Sequence, residues 1–558
     1  MAQKKARYIL LILLVVAARA GAQGNNSVPL DHHAYILIEM GVIRGIITPP
    51  PLAKPWPLWT VREKLWEMID DTSRALSSQE VDSVAGVLAS FDREEGRYRN
   101  TGDNYTLEMG LGWESNFSFA APQTTAASTN TARLYFAGDA AKFKNSISWN
   151  MTVLGELLYI GRTRQGEDPR FIYDVSSTFP YTCSKQWDGG VISLSNGGYS
   201  GWPDDAALAC SLEFEINVAS SNRLLQLRLG RIRRDWGPEE NGLSLFMNAN
   251  SRPFFALEGM VAPFPWLNIS FLNGATEYFR EDARWPENPP FSNLLSAAQL
   301  ALDPWKFLHF DIGVSAIPKG QSNTGFLSNL ELRAPGLLKI WGSLFVDHLD
   351  SLSESFNYRN GNNYAYQAGI KTNIHWLPLA VFSLRYTKVE PFCYTHTYDL
   401  SNGEWIPSVN AFVNGGESLG YYMPPNSDEF LLRFESILFP EIMSHIQFQM
   451  LRHGTDFGSG AVNGSSLRDK LVNANSAKYF LMDGVYRWES VIKLGGSLKL
   501  RAAGLPFLVY VETGMAITRY TINGIAGSGN EADYETLSSE MYRAGNRFIF
   551  SAGFKLFP

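Results

Sequence analysis

The chain has 558 residues, 45% of them hydrophobic and 13% aromatic, and a formal net charge of −7. An acidic chain argues against nucleic acid as a partner, since that role calls for a basic face. Three cysteines are too few for a disulfide scaffold, and no Cys/His spacing resembles a zinc site.

The N-terminus reads as a secretory signal. Lys4, Lys5 and Arg7 form a charged start, Ile9 to Ala18 an apolar core, and Ala18-Arg19-Ala20 and Ala20-Gly21-Ala22 two small-x-small cleavage sites. A signal is expected over 1–22; its removal takes four basic residues and leaves a charge of about −11. No cysteine follows, which argues against a lipid anchor. No later stretch supplies the roughly 18–20 apolar residues of a membrane helix. Export, no such helix and aromatic-rich alternating strands together point to an all-β outer-membrane barrel. A secreted soluble β-sandwich or propeller is the alternative.

Residues 23–100 read as a small periplasmic helical subdomain. Asp31 caps a helix over His32 to Met40 that Gly41 ends, and a proline-rich linker covers Pro49 to Pro57. Thr60-Val61-Arg62-Glu63 and Ser77-Ser78-Gln79-Glu80 are two capping boxes, with Val61, Leu65, Met68 and then Val81, Val84, Leu88 along apolar faces. His32-His33 fits polar capping better than a metal or catalytic pair.

From residue 101 to 558 the period is two. Tyr105, Leu107, Met109, Leu111 and Trp113 alternate with polar or glycine positions, and Ile147 to Val153, Leu212 to Val218 and Phe548 to Leu556 repeat this. Phe557 gives the last strand the aromatic close read by barrel-insertion machinery, though Pro558 follows it. Compact turns are expected at 144–145, 219–222, 263–266, 303–306, 334–336, 375–378, 438–441 and 502–505. Longer polar stretches fall at 118–132, 161–206, 236–252, 277–292, 318–325, 348–362, 391–427, 454–483 and 523–544. Alternating short and long connections suit a transmembrane antiparallel barrel of about 18 strands, with all short turns on one side.

The block Leu224 to Pro253 begins as a strand, with Leu225, Leu227 and Leu229 on one face and Gln226 and Arg228 on the other. It then meets Trp236-Gly237-Pro238, where proline removes a donor and the strand stops. Leu243 to Met247 give the following loop a packed tip. Arg228, Arg231, Arg233 and Arg234 form a candidate basic ladder inside the wall, of the kind that binds or conducts anions. Cys183 and Cys210 can pair across a loop or stay isolated.

Four stretches resemble the outer-membrane capsule-assembly proteins of the Wzi type. They are VPLDHHAYILIEMGVIRG, LGRIRRDWGPEENGLSLFMNANSRPF, LRYTKVEPFCYTH and GESLGYYMPPNSDEF, spread from residue 28 to about 430. Glu239 departs from the glycine expected after Trp-Gly-Pro. The resemblance implies a barrel of about eighteen strands, closed or nearly so, with helices at its periplasmic mouth, acting as a surface lectin that holds polysaccharide.

No catalytic constellation is found. Asp347-His348-Leu349-Asp350 has acid and base types but falls at a strand end, and Glu239-Glu240 are merely adjacent. Candidate sugar-stacking rings lie in the long loops: Tyr181, Trp187, Tyr199 and Trp202 in one, Tyr394, Tyr398, Trp405, Tyr421 and Tyr422 in another. Arg231, Arg233, Trp236 and Arg252 mark the loop that would shape the mouth. The expectation is a monomeric, non-enzymatic outer-membrane protein without cofactor or metal. Its partners are surface polysaccharide, outer-membrane lipid and the barrel-insertion machinery. A porin-like channel for small anionic or sugar solutes is the alternative.

Overall fold

A computed structural model describes residues 25–30, 32–70, 76–91, 97–102, 105–121, 125–140, 147–161, 192–193, 205–220, 223–238, 243–249, 251–276, 293–318, 323–348, 363–395, 398–399, 405–406, 411–414, 417–439, 441–454, 464–465, 467, 480–481, 484–502, 505–523 and 545–556. The expected signal over 1–22, Asp31 and the closing Phe557 lie outside the described residues.

Among the described residues, eighteen long strands close into one antiparallel barrel. The first nine are β1 (Tyr105–Ala121), β2 (Thr125–Ala140), β3 (Ile147–Gly161), β4 (Asp205–Ala219), β5 (Leu225–Ile232), β6 (Phe254–Phe264), β7 (Leu267–Thr276), β8 (Asn293–Trp305) and β9 (Leu308–Ile317). The rest are β10 (Asn323–Ala334), β11 (Leu338–His348), β12 (Asn363–Asn373), β13 (Ala380–Val389), β14 (Ser427–Phe439), β15 (Ile442–Gly454), β16 (Gly484–Ala502), β17 (Leu505–Asn523) and β18 (Gly545–Leu556). Closure is by β18 on β1, with Phe548 opposite Ala121 and Leu556 opposite Trp113. No helix among the described residues is long and apolar enough to cross a membrane; strands do the spanning.

Alternation explains the wall. Leu107, Met109, Leu111 and Trp113 are exposed on the outer face, as are Leu212 and Ile216 of β4 and Phe548 and Phe554 of β18. The residues between them face inward, where Ser118, Glu215, Asn217 and Ser551 are buried. Short turns gather at one end and longer connections at the other. One long stretch is corrected: over 118–132 the strands β1 and β2 continue to Ala121 and resume at Thr125. Serine, threonine and asparagine there pair in register rather than loop out, Phe117 opposite Ser128 and Asn116 opposite Thr129.

Three helices sit at the short-turn mouth: α1 (Ala34–Ile43), α2 (Leu58–Ile69) and α3 (Ser78–Ser90). Helix α1 runs through Gly41 instead of ending there; a side chain at 41 would press on Ile47 Cδ1 and Met68 Sδ at 3.0 Å and hold α2 away, so the glycine serves close packing and not a helix stop. The Thr60 capping box does not form. Asn26 O accepts from Leu58 N at 2.9 Å, so α2 starts at Leu58 and Thr60 is buried inside it. The Ser77–Glu80 box is present in both directions. His32 Nδ1 accepts from Ala34 N at 3.1 Å and its ring stacks on Phe91 at 4.7 Å, a capping and packing role. The helical core extends into the barrel turns through Leu379, Val381 and Ile437.

Candidate functional site

The site is the lumen, and segments of the chain enter it from both ends. The chain between β5 and β6 leaves the wall at its long-loop end and turns inward. Pro238 O accepts from Lys339 Nζ at 3.2 Å, and Lys339 is the second residue of β11, near the short-turn end. Trp236 is 0% exposed; its backbone N–H donates to Met247 O at 3.0 Å, and Ser244 Oγ donates to its carbonyl at 2.9 Å. A Cβ on Gly237 would lie 2.5 Å from Ser244 Oγ, so this hairpin closes only on glycine. The segment expected to frame an outward mouth is therefore a plug inside the barrel. Its apolar tip explains why: Leu245, Phe246 and Met247 are buried against the inward residues Leu272, Leu295, Leu327, Phe345 and Val389.

A second inward segment, between β13 and β14, completes the plug. Phe246 packs 5.8 Å from Phe412 and 6.0 Å from Phe345, ring centre to ring centre. Asn248 N donates to Leu419 O at 3.0 Å, Asn248 Nδ2 to Ser418 O at 3.0 Å, and Asn414 Nδ2 to Arg252 O at 3.1 Å. Tyr394, expected on an exposed loop, is fully buried, its hydroxyl donating to Leu245 O at 2.8 Å and its ring 5.3 Å from Phe345. It offers no face to a sugar. A Cβ on Gly420 would lie 2.2 Å from that ring, which accounts for the Leu-Gly of this block. Tyr421 is buried over Arg385, whose guanidinium pairs with Glu429 at 2.7 Å, and Tyr422 donates to the same carboxylate at 2.8 Å.

The arginines do not make an open ladder. Arg231 lies on the outer face of β5, opposite the outward-facing Phe214 and Phe255. Arg228 is inside, held by Glu215 at 3.4 Å, Glu258 at 3.3 Å and Pro55 O at 2.9 Å. Arg234 is buried with Glu258 at 3.1 Å and the carbonyls of Ile232 and Phe254, while Arg233 reaches Glu213 at 3.3 Å. Arg252 is buried beneath the second segment. Acidic neighbours in space neutralise the run of like charge, as buried charge requires.

From the short-turn side the N-terminal chain straps into the same plug. Ala53–Lys54 pairs antiparallel with Asp235–Trp236, and Lys54 Nζ donates to Gly237 O at 3.1 Å. Ser27 N and Oγ donate to Glu215 at 2.6 and 2.7 Å. Lys339 also pairs with Glu39 of α1, which Lys371 reaches at 3.4 Å. Glu80 caps α3, pairs with Arg44 at 2.8 Å and accepts from Leu379 N at 2.8 Å.

These contacts carry a pH dependence. Burial pushes the Glu39 carboxyl up, but Lys339 and Lys371 outweigh it and hold it at about 2, against an ordinary 4.5. Burial acts likewise on Glu80, and Arg44 with the N–H groups of Leu379 and Ser77 again leaves it lowered. Groups lowered on folding stabilise the docked helices above the ordinary value, and that contribution is lost as pH falls through the folded one. The helices are expected to loosen between about pH 4.5 and pH 2. Hydrogen exchange in α1 and α3, corrected for intrinsic rate, should rise in that window while the wall strands stay protected.

The opposite side of the lumen is polar and wetter. Glu114 pairs with Arg133 at 2.9 Å and Lys555 at 3.5 Å; Glu512 pairs with His445 at 3.2 Å and Lys493 at 3.0 Å. The Arg133 side chain is 40% exposed. Among the described residues no group of three or more His, Cys, Asp or Glu is placed to hold a metal.

Tyr181, Trp187, Tyr199 and Trp202 lie outside the described residues, as do Cys183 and the side chains of Tyr398, Trp405 and Cys210. The packed tip expected over Leu243 to Met247 is present, with Leu245, Phe246 and Met247 buried; the residues that sequence reading missed are its anchors, Lys339, Glu39, Lys54 and Phe412. A signal was present: Leu327 and Phe345 are apolar on inward faces where a water-filled barrel would carry polar residues.

No family model and no curated protein matches the chain. Among solved structures, it is similar to Wzi of Escherichia coli, described as a carbohydrate-binding β-barrel of the outer membrane involved in group 1 capsule assembly. The identity is 12% and the TM-score 0.54, over 96% of this chain and 99% of that one. OprD of Pseudomonas aeruginosa follows at 11% identity and TM-score 0.40 over 81% and 94%, and OccK1 (OpdK) of the same organism at 11% and 0.42 over 81% and 98%. The likeness to Wzi is one of fold, an 18-strand outer-membrane type of barrel.

Proposed function

We propose that the chain is a non-enzymatic outer-membrane protein that binds surface polysaccharide and helps assemble or retain it on the cell. In this reading 1–22 is a signal, 23–100 a periplasmic helical subdomain and 101–558 a monomeric barrel with its long loops outside. The observation that carries it is the plug: two loops cross-linked through Asn248, Asn414 and Phe246 occupy the lumen along the wall from β6 to β15 and are locked from below by Lys54 and Lys339. A barrel plugged in this way makes its outward loops the working surface. Tyr181, Trp187, Tyr199, Trp202 and Trp405 are the rings we assign to stacking on sugar. The description of Wzi as carbohydrate-binding supports the same reading.

A porin-like channel is the second reading, favoured by the partly exposed ion pairs along β15 to β18, β1 and β2. Planar bilayers separate the two. The purified protein should be silent at steady voltage while immobilising extracted surface polysaccharide. Stable conductance with no polymer bound would reverse the assignment.

A further inference from the structure

A row of charged and aromatic side chains crosses the outer face of the wall toward its long-loop end. Tyr366, Lys388, Asp428, Arg452, Trp488 and Arg519 stand directly opposite one another, strand by strand, from β12 to β17. Opposed residues share a face, and this face is outward. Tyr366 is opposite Leu344, which is 40% exposed, and even steps down β15 to β17 lead to Ile446, Ile492 and Met515, all exposed. Arg452 lies ten residues from Ile442, the first of β15. At about 3.3 Å per residue and a tilt of about 40°, that is about 25 Å, the height of a barrel's apolar band. The row climbs with the tilt, since Lys388 is eight residues from the start of β13 and Arg519 fourteen from the start of β17. It crosses from the edge of the hydrocarbon into the headgroup layer. Phe255, Ala275, Leu294, Ala316 and Thr324, the outward positions at the same end of β6 to β10, are uncharged, so cations are not a general feature of the rim.

The cations are held in place by rings and carboxylates. Arg452 Nε donates to Asp428 Oδ1 at 2.7 Å and Tyr386 OH to Asp428 Oδ2 at 2.9 Å, and that carboxylate is buried. The Arg452 guanidinium lies over the rings of Trp488 at 4.8 Å and Phe480 at 5.6 Å. Lys388 pairs with Glu390 at 2.6 Å and stands over Phe480 at 4.5 Å and Tyr366 at 5.8 Å. Phe480 comes from the connection between β15 and β16 and meets the buried Tyr486 edge-on at 6.2 Å, so this connection returns over the wall to fix both cations. Arg519 is exposed. With Asp428 and Glu390 set against the three cations, the row stays net positive. A lipid-facing cation is costly at mid-depth and cheap only near the interface; there an anionic head is its natural partner.

We propose that this row binds the phosphorylated head of an outer-leaflet glycolipid, one phosphate at Lys388 and Arg452 and a second at Arg519, with the sugar over Trp488. Lys388 and Arg452 are two strand spacings apart, about 10 Å, and Arg519 lies about 10 Å beyond. A lone phosphate meets one end of that span, whereas a head with two phosphates across a sugar pair meets both. Guanidinium groups suit phosphate oxygens, and an amphipathic indole beside them suits a sugar face. The inference rests on the reading that the long loops face outward, and is independent of the polysaccharide ligand.

The probe is diphosphorylated lipid A, added to the purified full chain in neutral detergent and followed by native mass spectrometry. Monophosphorylated lipid A and phosphatidylglycerol are compared at equal concentration. The diphosphorylated form should bind about tenfold more tightly than either, as one added charge-assisted contact allows. Lys388→Gln/Arg519→Gln, which leaves the buried Asp428–Arg452 pair whole, should lose that preference. Lys306→Gln, in the short turn between β8 and β9, should keep it. Equal binding by the parent and the double variant overturns the proposal, as does phosphatidylglycerol bound as tightly as the diphosphorylated lipid. Orientation is read separately: a membrane-impermeant maleimide should label Ser355→Cys on intact cells beyond the parent's level. Labelling there without a lipid preference refutes the site alone. Labelling only after permeabilisation refutes the outward orientation, and with it the leaflet assigned to the ligand.

Discussion

Phe246→Ala is expected to unseat the plug without dismantling the barrel. Phe246 is fully buried, with Trp236, Phe345 and Phe412 about it at 5.8 to 6.1 Å. Removing such a ring costs about 3–5 kcal/mol when its surroundings cannot collapse. The backbone ladder of the wall does not pass through this residue, so the loss should fall on the two loops. Hydrogen exchange should accelerate across 243–249 and 411–421 while β6 to β13 keep their protection, and bilayers should show openings that the parent protein lacks. An unchanged exchange pattern would mean that the loops hold without their shared aromatic centre.

Lys339→Met should have an effect of similar size through a different route. Its ammonium joins three elements: it stands on β11, pairs with Glu39 of α1 and donates to Pro238 O of the plug. Taking one partner from a buried ion pair costs about 3–5 kcal/mol when the remaining charge is left alone; Lys371 keeps part of the pairing of Glu39, so the loss should fall at the lower end. Loosening should therefore appear in both α1 and the 236–247 hairpin. Lys371→Met, which removes a cation that reaches Glu39 at 3.4 Å, should loosen α1 and spare the hairpin. The pair of variants tells a bridge from two independent contacts, since a lysine that served only α1 would give matching patterns.

The parts of this fold legible in the sequence are those set by short-range periodicity. Strand faces follow from alternation, so β1, β4 and β18 turn out Leu107, Leu212 and Phe548 as their patterns require. The Ser77–Glu80 box is local chemistry and forms as read. What failed depended on partners far along the chain. The arginine run reads as basic because its neutralising groups, Glu215 and Glu258, lie on other strands. The strap through Ser27 is anchored 188 residues away, on Glu215. Thr60 looked like a cap because nothing nearby in sequence reveals that Asn26 meets Leu58. Polar, turn-rich composition between β5 and β6 is equally suited to water and to a polar lumen, and only Leu243 to Met247 hinted at packing. The inward Leu327 and Phe345 were the stronger sign that something fills the barrel.

The most direct test of the proposed role is the partition of surface polysaccharide between cells and medium, with the gene intact and deleted. Retention by this barrel predicts that deletion moves polymer into the medium while total synthesis is unchanged, and that the wild-type gene restores it to the cells. Polymer that stays on the deleted cells in its normal amount would contradict the account.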